Sequence, residues 1–145
     1  MRRALVLFSV LTLAAAPAAQ AATPSVAFKR KTLLRSSSGA PITALPRARG
    51  LQFDVRYVVR NVPPRWKNAT AQVFVTLTHG QSALRFQTRP AQTETGTWRW
   101  IVKGVAVQIP ADYPTGRYTI KVRVELRHGG NLVGRAEHRR RATVR

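Results

Sequence analysis

The sequence predicts an all-β fold, a seven-stranded antiparallel β-sandwich. From Leu51 onward, apolar residues recur at every second position and almost nowhere at helical spacing, which is typical of half-buried strands. Turn signals separate these segments at the spacing expected of a sandwich. No segment has the pattern of a helix long enough to cover a parallel sheet.

Residues 1–21 precede the strands, and we expect them to be cleaved as an export signal. A pair of arginines supplies positive charge, an apolar run follows, and Ala19-Gln20-Ala21 supplies small residues at a cleavage site. The run is about 13 residues long, shorter than the ~20 that a membrane-spanning helix needs. The chain has no cysteine for a lipid anchor or a disulfide. We therefore expect residues 22–145 to form one soluble domain, periplasmic or secreted, that packing alone stabilises.

The first three strands are predicted from residue 26 onward. Residues 26–34 form the first strand, and residues 36–50 form a loop. The second strand ends at Asn61-Val62-Pro63-Pro64, because proline supplies no donor to the ladder. The third strand ends in a turn at residues 79–82. The buried faces of the second and third strands are predicted to be Leu51, Phe53, Val55, Tyr57 and Val59, and Ala71, Val73, Val75 and Leu77.

The remaining four strands follow a similar alternation. The fourth carries Leu84 and Phe86, and a polar loop spans residues 90–96. The fifth changes the parity of its apolar positions, which predicts a β-bulge at Gly104 and core positions for Trp98 and Trp100. The sixth, from residue 118, alternates most regularly. The seventh, residues 132–144, is heavily charged, as expected of an edge strand.

The segment Ile109-Pro110-Ala111-Asp112-Tyr113-Pro114-Thr115-Gly116-Arg117-Tyr118 resembles a corner of the immunoglobulin-like and fibronectin type III-like superfamily. In such domains a similar stretch joins the fifth and sixth strands, and Tyr118 resembles the tyrosine that bonds back across this corner. The resemblance covers nearly the whole mature chain, although the paired cysteines of antibody domains are missing. It implies a fold and not a function, because many unrelated functions use this fold.

The charges of the last hairpin select its register. A three-residue loop at 129–131 would place Glu125 opposite Arg135 and Arg123 opposite Glu137 on the outer face, so that both carboxylates meet a basic residue. A two-residue loop would instead turn charged side chains of the last strand toward the core, at a much greater cost.

The chain is strongly basic, with 25 Lys and Arg against 5 Asp and Glu and a formal charge of +20. Removal of residues 1–21 takes away two arginines and leaves +18. Outside the cytoplasm nucleic acid is an unlikely ligand, and an acidic protein or an anionic envelope polymer fits the compartment better.

Lys121, Arg139, Arg140 and Arg141 form the densest predicted basic cluster and the first candidate site. Clustered guanidinium groups suit phosphates and carboxylates, which predicts a polyanion-binding patch. The alternative is a solvated basic tail, because arginine outnumbers lysine 20 to 5 and coding bias alone favours such a composition.

A second candidate site is a loop tip formed by Arg65, Trp66, Lys67, Arg89 and His128. In a seven-stranded sandwich, the three loops that carry these residues share one end of the domain. A tryptophan rimmed by polar groups is a favoured binding anchor. The alternative is that Trp66 folds inward as a lid over the core.

No catalytic site is predicted. The five acidic residues are spread over different strands and loops, and the serines have no evident base nearby. His79 and His128 are expected at opposite ends of the sandwich, so no metal site and no cofactor are predicted.

Three functional hypotheses remain. The first is an exported, non-enzymatic binding module whose basic surface contacts an acidic protein or an anionic envelope polymer. The second is an assembly component, such as an appendage subunit or its chaperone, completed by a strand of another chain. The third is an enzyme with an unrecognised site or an inhibitor that presents a loop. The sequence does not predict the oligomeric state.

Overall fold

The structure is a computed structural model that describes residues 22–29, 35–36, 38–96 and 99–145, with only the backbone described at 99 and 100. The predicted export signal, residues 30–34 of the predicted first strand, and Trp98 lie outside these ranges. The described chain is all-β and forms two sheets.

The described residues contain ten strands rather than the predicted seven. The additional strands are short pairings inside segments predicted to be loops. The strands are β1 (Ser25–Phe28), β2 (Arg35–Ser36), β3 (Ala44–Leu45), β4 (Gly50–Arg60), β5 (Thr70–His79), β6 (Ser82–Gln87), β7 (Ala91–Gln92), β8 (Arg99–Gln108), β9 (Gly116–His128) and β10 (Asn131–Val144).

The smaller sheet is built around β4. Strand β8 pairs with one edge of β4 along almost its whole length, from Gly50 opposite Gln108 to Val59 opposite Arg99. Strands β1 and β2 also pair with β4 and share its other edge, β1 at residues 57–60 and β2 at residues 53–54. All these pairings are antiparallel.

The predicted β-bulge at Gly104 is wrong. The register between β4 and β8 is continuous, and Gly104 lies opposite Asp54. Ile101, Val105 and Val107 all contribute to the core or pack against it, while Val102 is 54% exposed. The glycine instead accommodates Gln52, because a Cβ at residue 104 would overlap the amide end of the Gln52 side chain. The side chain of Trp100 is not described, so its predicted core position stays a prediction.

The larger sheet has the order β3-β10-β9-β5-β6, with β7 also pairing with β5. It is mixed rather than purely antiparallel as predicted, because β3 runs parallel to β10 through Thr143 opposite Ala44 and Val144 opposite Leu45. One edge of β10 pairs with β9, and the opposite edge pairs with β3 at only two residues. Among the described strands, the rest of that opposite edge has no paired strand.

The core lies between the facing sides of the two sheets. Alternate residues of strands β4, β5, β8 and β9 point inward. These are the predicted faces for β4, β5 and β9 and for β8 from Val105 onward. The fully buried side chains of these strands include Phe53, Val55 and Tyr57, Val73, Val75 and Leu77, Val105 and Val107, and Ile120, Val124 and Leu126. Burial raises the pKa of the Tyr57 phenol to about 12.

The corner before β9 has the hydrogen bond predicted from the resemblance. The hydroxyl of Tyr118 donates to the carbonyl oxygen of Pro114 at 2.8 Å. Gly116 has a φ of 128°, a conformation that side chains with a Cβ rarely adopt. The ring of His79 stacks on Tyr118 with centroids 4.8 Å apart, which joins the β5–β6 turn to this corner. Burial raises the pKa of Tyr118.

Candidate functional site

The β9–β10 hairpin brings together most of the residues of the first candidate site. Gly134 lies opposite Leu126 and Arg135 opposite Glu125, which is the predicted register. The predicted three-residue loop is wrong, because His128 pairs with Asn131 around a turn of Gly129 and Gly130, whose φ angles are 57° and 79°. A β-bulge between Leu132 and Gly134 then brings the following residues of β10 into the predicted register with β9.

Strand geometry divides the predicted cluster Lys121, Arg139, Arg140 and Arg141 between two faces. Arg139 lies directly opposite Lys121 and Arg141 opposite Thr119, both on the side of the sheet that points away from the core. Arg140 lies opposite the buried Ile120 and therefore belongs to the other face. The four residues of the predicted cluster are thus not one patch in space.

The acidic residues of this hairpin pair along their own strands. Glu125 is 6% exposed and lies between Arg123, at 3.1 Å from Nε to Oε1, and Arg127, at 2.8 Å from a terminal nitrogen to Oε2. Glu137 pairs with Arg139 at 3.4 Å. The predicted residues lie opposite one another, but the predicted ion pairs across the strands are replaced by pairs within each strand.

The outward side chains of β5, β6, β9 and β10 form one surface, which we call the basic face. Strand β6 lies beside β5, and β5 lies beside β9, so Arg85 joins the same surface as Lys121. The charged residues of the basic face are Arg85, Arg117, Lys121, Arg123, Arg127, Arg135, Arg139 and Arg141, with Glu125 and Glu137.

One row across the basic face concentrates charge. Arg139 lies opposite Lys121, Lys121 opposite Thr76, and Thr76 opposite Arg85. Adjacent strands are about 4.8 Å apart, so these side chains share one short line. Arg85 and Lys121 take part in no ion pair within the described ranges. Sequence reasoning missed Arg85, although the predicted turn at residues 79–82 fixes its position opposite Thr76.

A groove of 520 Å³ runs along β5 on the basic face. Thr76 and Thr78 of β5 line it together with Arg85 from β6 and Lys121 from β9. The ring of Phe74 also lines it, with the Arg123 guanidinium 4.9 Å from the ring centroid. Phe86 lines it as well, so the groove combines cations, hydroxyls and two aromatic rings.

The second candidate site is brought together in part. The indole of Trp66 stacks on the imidazole of His128, with centroids 4.6 Å apart and planes at 8°. Arg65 and Lys67 are exposed on either side of Trp66. Arg89 lies farther from Trp66 and His128 along the sheet. The residue before it, Thr88, donates its backbone N–H to the carbonyl of Val73, which is three residues into β5. The tip therefore has Trp66 and His128 at its centre, with Arg89 further along the sheet edge.

Trp66 also packs against the hydrophobic core and is only partly exposed. Backbone hydrogen bonds from Trp66 to Pro63 and from Ala69 to Trp66 hold its loop in two successive turns. These contacts favour the interpretation of Trp66 as a lid over the core rather than as a free binding anchor, because its indole already contacts the core and His128.

The histidines of the two turns lie at opposite ends of β5 and β9, as predicted. His79 contacts Tyr118 near one end, while His128 contacts Trp66 at the other. Within the described ranges, no group of three or more metal-ligating side chains lies close enough to share an ion. In the same ranges, no helix is long and apolar enough to cross a membrane.

Comparison with known proteins gives structural likenesses only. No protein-family model and no curated protein matches the chain. Among solved structures, the chain is similar to Pseudomonas fluorescens alkylpurine DNA glycosylase AlkC bound to DNA containing an abasic site analog, with a TM-score of 0.40 and 13% identity. The match covers 86% of this chain but 31% of that chain, so this chain spans less than half of that protein's length. A likeness at this TM-score carries no argument about function.

Proposed function

We propose that this protein is an exported, non-enzymatic module that binds an anionic polymer of the cell envelope through its basic face. The observation that carries the proposal is the row of Arg139, Lys121 and Arg85 around Thr76 on a single sheet face. Several cations on one rigid surface attract a polyanion much more strongly than the same cations scattered.

The pattern of ion pairs supports this proposal. The carboxylates of Glu125 and Glu137 are engaged by Arg123, Arg127 and Arg139. The other cations of the basic face, Arg85, Arg117, Lys121, Arg135 and Arg141, have no carboxylate partner in the described part of the chain. Their charge is therefore available to an external anion.

The outer side of the smaller sheet provides a contrast. Its described charged residues are Arg35 of β2 and Arg56 and Arg60 of β4, with the carboxylate Asp54 opposite Arg35, and Gln52 and Val102 on the same side are uncharged. This side therefore has three cations against one anion, whereas the basic face has eight cations against two anions. The positive charge is thus unequally distributed between the two outer faces. Compositional bias alone gives no reason for such a difference, which favours the binding patch over the solvated tail.

A polymer fits the basic face better than an acidic protein does. Stable protein interfaces have an apolar centre with aromatic or aliphatic anchors. The large hydrophobic residues that are exposed in the described chain are Val102 and Leu132. Val102 lies on the other sheet and Leu132 beside the last turn, and Phe74 at the centre of the basic face is partly buried beneath Arg123. The described part of this face therefore has no large exposed hydrophobic anchor at its centre.

We also propose that the two sheets pack as an immunoglobulin-like sandwich. Strands β1, β4 and β8 correspond in order to the A, B and E strands of that fold, and β10, β9 and β5 to G, F and C. The bond from Tyr118 to Pro114 matches the tyrosine corner. The corresponding test of this architecture is an experimental structure of residues 22–145.

The proposal that the protein is exported rests on the signal pattern of residues 1–21. Expression of the full chain in a bacterial host, followed by fractionation, tests it directly. We expect the product in the periplasm or medium to begin near Ala22 by N-terminal sequencing. A cytoplasmic product that keeps Met1 would contradict export.

The binding proposal is tested with the mature protein and heparin as a model polyanion. The dissociation constant should rise steeply with sodium chloride concentration, because salt screens exposed charges and competes with them for the polymer. Strand addition by a partner chain buries backbone and would persist at high salt. Binding that is absent at low ionic strength, or independent of salt, would contradict the electrostatic proposal.

A further inference from the structure

We infer that the basic face has one specific subsite, the groove over β5, and that this subsite accepts an anionic sugar unit of a glycan. The inference rests on the proposed function and adds the chemical class of the polymer. It separates glycans, which carry hydroxyls beside their charges, from polyanions that carry charges alone.

The first argument is the position of the two cations. Arg85 and Lys121 lie on opposite sides of Thr76 in one row, in the strands that flank β5. Two strand spacings separate their backbones by about 10 Å, a gap that two long side chains can close from either side. An acidic group above Thr76 would receive charge-assisted hydrogen bonds from both.

The second argument is the floor of the groove. Thr76 and Thr78 present hydroxyls on the same side of β5, and Thr78 Oγ1 donates to the Thr119 carbonyl at a long 3.4 Å. Each hydroxyl has one donor and two acceptor positions, so both threonines keep bonding capacity for a ligand. Sugar hydroxyls are the complementary groups for such a floor.

The third argument is the ring of Phe74 in the lining. Phe74 is partly buried, and Arg123 lies over it at 4.9 Å while also contacting Glu125 at 3.1 Å. The ion pair and the ring hold this guanidinium in place. An apolar edge of Phe74 then borders the groove, where the C–H groups of a sugar ring can pack.

The test compares three probes of matched total charge on the mature protein by isothermal titration calorimetry. The probes are a galacturonate oligomer, a heparin oligosaccharide and a glutamate oligomer. We expect the two glycans to bind more tightly than the glutamate oligomer at equal ionic strength and equal probe charge. The better of the two glycans then identifies whether the groove prefers carboxylate or sulfate.

Thr76→Val separates the hydroxyl from the charges. It removes one hydroxyl from a half-buried strand position outside the core and introduces a residue that strands favour, so folding should be preserved. We expect glycan binding to weaken about fivefold, as for loss of one net hydrogen bond, with no change for the glutamate oligomer. Thr143→Val, on the same face but outside the groove, is the matched control and should leave all three affinities unchanged.

The subsite and the proposed function fail in different ways. If all three probes bind according to charge and Thr76→Val behaves as wild type, the basic face binds polyanions but the glycan subsite is wrong. If no probe binds at low salt, the proposed function itself is wrong. Amide chemical shifts that change at Thr76, Thr78 and Arg85 on addition of the galacturonate oligomer would support the subsite, and changes confined to other residues would overturn it.

Discussion

The indole of Trp66 and the imidazole of His128 stack with their planes at 8° and their centroids 4.6 Å apart. This contact joins the loop before β5 to the turn between β9 and β10. Trp66 also covers part of the core, so the pair links the closure of one end of the domain to the position of the last hairpin.

Replacement of Trp66 by alanine should destabilise the fold. The loss of a partly buried indole should lower the free energy of unfolding by about 2 to 3 kcal/mol, measured by urea denaturation. A double-mutant cycle with His128→Ala should give a coupling energy of about 0.5 to 1.5 kcal/mol from the stacked rings. Additive single effects would show that the two rings do not interact, and an unchanged stability in Trp66→Ala would favour a free binding anchor over a lid.

Two glycines should respond differently to alanine. Gly116 has a φ of 128°, so Gly116→Ala should cost at least about 1 kcal/mol through backbone strain. Gly104 has no such φ, and the added Cβ would meet only the flexible end of Gln52. In a Gln52→Ala background, Gly104→Ala should therefore stabilise the strand by about 0.5 kcal/mol. Destabilisation there would mean that Gly104 has a backbone role after all.

The corner hydrogen bond should contribute measurably to stability. Tyr118→Phe removes the buried phenol's hydrogen bond to the carbonyl of Pro114, at a cost of about 1 kcal/mol. Thermal denaturation of Tyr113→Phe, a tyrosine in the same corner, provides the control. Equal effects of the two substitutions would contradict a specific role for the Tyr118 bond.

Alkaline pH should destabilise the protein through Tyr57. The phenol has a pKa of 10.0 when unfolded and about 12 when folded, because burial disfavours the phenolate. Since the folded-state pKa is raised, this contribution is fully present below pH 10 and is lost as the pH rises toward 12. The loss is about 2 to 3 kcal/mol, measured by denaturant titration at several alkaline pH values.

Tyr57→Phe tests the assignment of this pH dependence. The variant lacks the ionisable phenol, so its stability should fall less between pH 10 and 12 than that of the wild type. Identical pH profiles would assign the alkaline loss to other groups.

Local patterns predicted those parts of the fold that local pairing determines. The alternation of β9 gave its buried face, and the charges of Glu125 and Glu137 gave the register of β9 with β10. The predicted loop length was wrong because the hairpin accommodates its one extra residue as a bulge near Val133 in β10, and not as a third residue of the turn. At Gly104, the apolar Trp98, Trp100 and Val102 suggested a change of face, whereas pairing with β4 keeps one continuous phase.

The candidate site was predictable only in part, for a similar reason. Lys121, Arg139 and Arg141 were grouped correctly because one hairpin contains them all. Arg140 was added because it is adjacent in sequence, although alternation places it on the other face. Arg85 could be placed opposite Thr76 from its own hairpin, but its closeness to Lys121 depends on the pairing of β5 with β9, which no local pattern specifies.

The most direct measurement of the central claim is the heparin affinity of two triple variants with equal loss of charge. The first variant removes three cations of the basic face by the substitutions Arg85→Gln, Lys121→Gln and Arg141→Gln. The second removes three exposed cations in or next to the smaller sheet by the substitutions Lys29→Gln, Arg49→Gln and Arg60→Gln. We predict that the first triple variant binds about tenfold to a hundredfold more weakly and reduces the slope of log affinity against log salt by about two to three. The second should remain within about twofold of wild type. Equal losses in both variants would show that heparin responds to net charge alone and would contradict a binding surface on the basic face.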